Sequence, residues 1–96
     1  MAMTIIPLAN GQSMAIGQTA FNGSPLVIAT GLATLTGVVA SIQNGTALND
    51  PVGVDLAWGN ATYGAGNFQA RPLTTSGADS TSSSGTLSWV AIGMTR

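Results

Sequence analysis

The stretch Gly85 to Gly93 reads GTLSWVAIG and decides the fold of this chain. Alternate side chains of a strand point to opposite faces of its sheet, and in this stretch both faces are apolar. One face carries Leu87, Trp89 and Ala91, and the other carries Val90 and Ile92. Because apolar side chains on both faces need cover on both sides, the stretch predicts a strand in the middle of a sheet or against a partner subunit.

The rest of the chain contains further short segments with strand-like composition, separated by turn signals. They span residues 4–9, 13–20, 25–30, 32–43, 52–58 and 67–73. Asn-Gly, which favours tight hairpin turns, occurs at Asn10-Gly11. About seven short strands at this spacing predict an all-β fold, a single antiparallel β-sandwich or barrel spanning residues 1–96. Pro7 lacks a backbone donor, so residues 1–9 are expected to form an extended arm or an edge strand.

Individual segments carry more specific expectations. The apolar run 25–30 is typical of a strand covered on both faces, and Gly37 is a candidate for a bulge. The alternation of 52–58 places Trp58 on the inward face with Val54 and Leu56, and Phe68 is expected inward with Ala70. Core packing is therefore the interpretation favoured for Trp58 and Phe68.

Charge is unusually scarce. The 96 residues include two arginines (Arg71 and Arg96), three aspartates (Asp50, Asp55 and Asp79) and no histidine. Charged residues make up 5% of the chain, against about 25% in an ordinary soluble domain. Two arginines form no electrostatic footprint for nucleic acid or an anionic membrane, so neither partner is expected. A surface with so little charge is poorly protected from association, which predicts a component of an assembly.

The same composition argues against catalysis and metal binding. Without His, Cys or Lys, the common general bases and covalent nucleophiles are missing, and the three aspartates show no paired spacing. Asn49, Asp50 and Asp55 could offer oxygen ligands to calcium, but turn chemistry is the favoured explanation. The uncharged run 26–42 is near the lower length limit of a membrane helix, yet its threonines and valines favour strands. No enzyme activity, cofactor, metal or membrane insertion is expected.

Two groups of bacteriophage proteins resemble this sequence. Phe21 followed by Pro25 and an apolar strand (Leu26, Val27), and much later SWVAIG at 88–93, is similar to trimeric head decoration (cement) proteins and to tail-fibre domains of the H-type-lectin kind. The tail-fibre domains often end in a tryptophan followed by Ala-Ile-Gly. Sugar-binding members use histidine, which this chain lacks, and a short low-charge domain is closer to the decoration group.

The resemblance implies a homotrimer on the outer surface of a virion capsid, bound to the major capsid protein and clamping it. The residues expected at the interface are apolar positions of the N-terminal segment and of the last strand, namely Met3, Ile5, Ile6, Leu8, Val90 and Ile92. The alternative is a receptor-binding module of a tail fibre or tail tip, in which an exposed aromatic such as Tyr63 contacts a glycan.

Overall fold

The computed structural model describes residues 2–20, 26–44, 53–59, 62–74, 76–77 and 85–96. The described residues form seven strands and no helix. The strands are β1 (Ala2–Pro7), β2 (Gln12–Ala20), β3 (Leu26–Ala29), β4 (Thr34–Asn44), β5 (Gly53–Trp58), β6 (Asn67–Leu73) and β7 (Gly85–Met94). They make two antiparallel sheets packed as a small β-sandwich, which confirms the predicted fold class.

Sheet A has the strand order β1-β2-β7-β4, so β7 is flanked on both sides. Its register places Val90 between Ile16 of β2 and Val39 of β4, and Ala91 between Ala15 and Val38. The prediction that the last strand lies in the middle of a sheet is therefore confirmed. Its inward residues Leu87, Trp89 and Ala91 are buried, as their alternation predicted.

Sheet B has the order β3-β6-β5. The central strand β6 alternates strictly: Phe68, Ala70 and Pro72 are buried, and the residues between them are half-buried. The two sheets come closest where β4 faces β5 and β6. The inward faces of both sheets form one apolar core, as expected for a sandwich.

The centre of the core is an aromatic pair. Phe68 of sheet B and Trp89 of sheet A have ring centroids 5.4 Å apart at an interplanar angle of 70°, an edge-to-face contact. Such a contact adds about 0.5–1.5 kcal/mol to the burial of the two rings. The pair thus joins the two sheets directly.

Two local predictions about turns and bulges are confirmed. Asn10 and Gly11 both have positive φ, 62° and 75°, in the β1–β2 hairpin, which Asn-Gly accommodates readily. The register of β4 shifts between Leu35 and Gly37, so Gly37 does mark a bulge. Beside this bulge a Cβ on Gly93 would overlap the carbonyl oxygen of Thr34. Glycine at the end of the SWVAIG stretch is therefore required by close backbone approach.

Two predictions about burial are wrong. β3 is covered on one face only: Ile28 is buried, whereas Val27 is 54% exposed on the outer face. Sheet A covers only the inner face of sheet B, so no described residue lies over the outer face of β3. Trp58 is 37% exposed although its alternation places it with Val54 and Leu56. It is the last residue of the edge strand β5, where sheet A gives little cover, so it is not part of the core.

Candidate interaction surface

An apolar band crosses the four strands on the outer face of sheet A. Cross-strand register sets its side chains in two rows, one running from Thr4 through Ile16 and Val90 to Val39, the next from Ile6 through Met14 to Ile92. We call this surface the outer apolar face; its residues are Ile6, Met14, Ile16, Val39, Val90, Ile92 and Met94. Val39 is 73% exposed, the highest value among the large apolar side chains described as exposed. Because large exposed apolar patches are typical of interaction sites, this surface is the candidate interaction surface of the described residues.

Two depressions lie on the outer face of sheet A. A depression of about 240 Å³ lies along it between Ile16, Val90 and Val39 on one side and Gln18, Ser88 and Ser41 on the other. A second, of about 220 Å³, lies between Thr4, Ile16 and Gln18. Gln18 Nε2 donates a hydrogen bond of 3.4 Å to Ser88 Oγ, so the polar rim is internally bonded. The relief suits a broad contact with another protein better than a small ligand.

The six predicted interface residues divide between two faces of sheet A. Ile6, Val90 and Ile92 lie together on the outer apolar face. Met3 and Ile5 point to the opposite side of β1, where each is 42% exposed. Leu8 follows β1 in the hairpin and is 41% exposed. Every predicted residue outside β7 is thus exposed, but the set does not form one surface.

Four members of the outer apolar face were not among the predicted interface residues: Met14, Ile16, Val39 and Met94. The alternation of β2 already put Met14 and Ile16 on one face, which was the available signal. Which strand would lie beside β7 was not readable, because β2 and β4 are distant from it in sequence.

The described charges lie away from the outer apolar face. Asp55 and Arg71 are cross-strand neighbours on the outer face of sheet B, with Oδ2 and Nη2 3.5 Å apart. Both side chains are substantially exposed, so this ion pair contributes little stability. Arg96 follows β7 and donates from Nη2 to the carbonyl oxygen of Leu32 at 3.5 Å. Among the described residues, the outer face of sheet B therefore carries charged side chains, whereas the outer apolar face of sheet A carries none.

No group of three or more His, Cys, Asp or Glu side chains occurs among the described residues. Of the calcium candidates, Asp55 lies opposite Arg71, and Asn49 and Asp50 lie outside the described residues. No helix in the described ranges is long and apolar enough to cross a membrane.

The aromatic side chain that was expected to contact a glycan is not a fully exposed ring. Tyr63, the aromatic expected to contact a glycan, is half-buried, and its hydroxyl donates to Gln69 Oε1 at 2.9 Å. Its carbonyl accepts from Asn67 Nδ2 at 2.6 Å, which fixes the loop before β6. Trp58 is the more exposed ring. A stacking surface for sugar would have to be built around Trp58 rather than Tyr63.

Comparison with known proteins leaves the family open. No protein-family model, no curated protein and no solved structure matches this chain.

Proposed function

We propose that the chain is a structural protein of a virion, a capsid decoration subunit that attaches through the outer apolar face of sheet A. The virion setting is proposed from the resemblance of Phe21, Pro25 and the SWVAIG stretch to decoration proteins. The observation that carries the mode of action is the extent of the outer apolar face. Cementing a shell needs buried contact area and no reacting group, and about 800 Å² per partner makes a stable interface.

The distribution of charge supports one orientation on the shell. An outer apolar face without charged side chains can be buried at little desolvation cost. The opposite face carries the exposed Asp55–Arg71 pair, which is suited to water. Sheet A would therefore face the capsid and sheet B the solvent.

Attachment to particles tests this orientation. Val39→Lys puts a charge at a position that is already 73% exposed, so the fold should tolerate it while attachment falls at least tenfold. Val27→Lys is the matched control, since Val27 is a valine 54% exposed on the outer face of sheet B. Both variants are added to particles stripped of the protein, and the bound fraction is measured after sedimentation. Equal loss in both variants, or none in either, would contradict the orientation.

The location on the particle tests the function itself. An antibody to this chain, with gold label, is applied to virions purified from its source. Label spread over the heads supports decoration. Label confined to tail tips supports the alternative, a receptor-binding module, for which Trp58 is then the residue to change in glycan-binding assays. Unlabelled particles would overturn both functions.

A further inference from the structure

The outer edge of β1 pairs with no other strand among the described residues. β1 is the outermost strand of sheet A, and among the described strands it contacts only β2. A strand edge presents a row of backbone N–H and C=O groups that can pair with a further strand. We propose that two copies of this chain join through β1, antiparallel, into one continuous eight-stranded sheet. We call this pairing of the two β1 strands the seam, and it does not depend on the proposed virion function.

The hydrogen-bonding parity of β1 shows which groups are available. The Leu8 N–H donates to the Gln12 carbonyl at 2.7 Å, in the same register as the rest of the β1–β2 ladder. Hydrogen-bonded pairs alternate along an antiparallel ladder, so Thr4 and Ile6 also bond to β2. The backbone groups of Met3, Ile5 and Pro7 consequently point away from β2, in the plane of the sheet.

Pro7 selects the register of the seam. It has a carbonyl but no N–H, so any register that uses Pro7 leaves an acceptor on the other copy without a donor. Pairing Met3 of each copy with Ile5 of the other keeps Pro7 out of this pairing, at the end of β1 and beyond Met3 of the second copy. All outward N–H and C=O groups of these two residues are then satisfied in four hydrogen bonds. In this register Thr4 lies opposite Thr4 of the second copy, on the two-fold axis.

The side chains agree with the same arrangement. Met3 and Ile5 lie on the core side of sheet A, yet each is 42% exposed, because sheet B does not extend over β1 in the described residues. The seam would set these two residues beside the same pair from the second copy, forming a small apolar cluster. Residues 1–49 carry no charged side chain, so two copies meet without like-charge repulsion. The self-complementary pairing, in which Met3 and Ile5 of one copy meet Ile5 and Met3 of the other, is what favours a second copy as the occupant.

The other edges of the sandwich are protected in ways that β1 is not. β4 carries the bulge between Leu35 and Gly37, which disrupts a regular ladder. β5 carries the exposed charge of Asp55, and β3 is only four residues long. Bulges, charges and short length are the usual devices against edge pairing. β1 has only Pro7 at its end.

Cysteine cross-linking tests the seam and its register. The chain has no cysteine, so a single substitution gives one defined thiol. Thr4→Cys would sit in a non-hydrogen-bonded pair with Cα atoms about 4.5 Å apart, within disulfide reach. Ile6→Cys, on the same face of the same strand, would lie about 13 Å from its mate, which is too far. We expect Thr4→Cys to form disulfide dimers at least tenfold faster than Ile6→Cys under mild oxidation. Equal rates would overturn the register.

Sedimentation equilibrium of the wild-type chain at high concentration tests the association itself. The expected mass is twice 9.5 kDa, and Ile5→Lys should return it to the monomer value while far-UV circular dichroism stays β-like. Val27→Lys, on the far face of the sandwich, should leave the dimer intact. A monomer at all concentrations would overturn the seam. A mass of three times 9.5 kDa would also overturn it, in favour of the trimer implied by the resemblance.

Discussion

At the scale of single residues, Gly66 is, like Gly93, a position where the backbone leaves no room for a side chain. Its carbonyl accepts two hydrogen bonds from Thr30, from Oγ1 at 2.6 Å and from N–H at 3.3 Å. A Cβ on Gly66 would overlap the carbonyl oxygen of Leu32, whose N–H is bound by Thr30 Oγ1 at 3.2 Å. Through these hydrogen bonds, the buried Thr30 fixes the end of β3 against the start of β6.

Gly66→Ala is therefore expected to lower the free energy of unfolding by on the order of 3 kcal/mol, since backbone atoms must move to make room. Gly53→Ala is the control, because a Cβ there meets nothing within 4 Å, and it should change stability by less than about 0.5 kcal/mol. Urea unfolding followed by tryptophan fluorescence measures both. Similar stabilities for the two variants would show that the loop holding Gly66 relaxes freely.

At the scale of elements, β1 is an addition to the sandwich rather than a part of its core. None of its described side chains belongs to the buried cluster, and a Cβ added to Gly31 would lie 2.9 Å from Ile5 Cδ1. Deleting residues 1–8 should leave the Phe68–Trp89 pair and a β-type circular dichroism spectrum, with stability lowered by about 2 kcal/mol. The deleted chain should also lose self-association and attach to particles less well. Undiminished attachment would remove β1 from the particle contact.

The elements also show how far the sequence could lead. Alternation correctly gave the inward face of β6 and β7, because side-chain direction in a strand is a local property. The continuous apolar run misled for Val27, and alternation misled for Trp58, since burial depends on which faces and strand ends the opposite sheet covers, which no local pattern encodes. Residue parity alone places Met3 and Ile5 on the opposite face of β1 from Ile6. The row that joins Ile6, Met14 and Ile92 depends on the pairing of β2 with β7, which are distant in the chain.

At the scale of the whole molecule, the two surfaces proposed to make contacts, the outer apolar face and the edge of β1, carry no charged side chain among the described residues. Association through such surface should be insensitive to NaCl, unlike association through a charged interface, whose attraction is screened as ionic strength rises. Attachment to particles and self-association should both be unchanged between about 0.05 M and about 0.5 M NaCl. Sodium sulfate, which strengthens effective apolar burial, should increase them.

The Asp55–Arg71 pair supplies the matched control for this expectation. Asp55→Asn leaves Arg71 on the outer face of sheet B without its carboxylate neighbour, and so changes the net charge while sparing sheet A. Its association should follow the wild-type salt profile if sheet A makes the contacts. A bound fraction that falls steeply with NaCl in the wild type, and shifts in Asp55→Asn, would mean that the charged face of sheet B meets the partner. The orientation proposed for the sandwich would then have to be reversed.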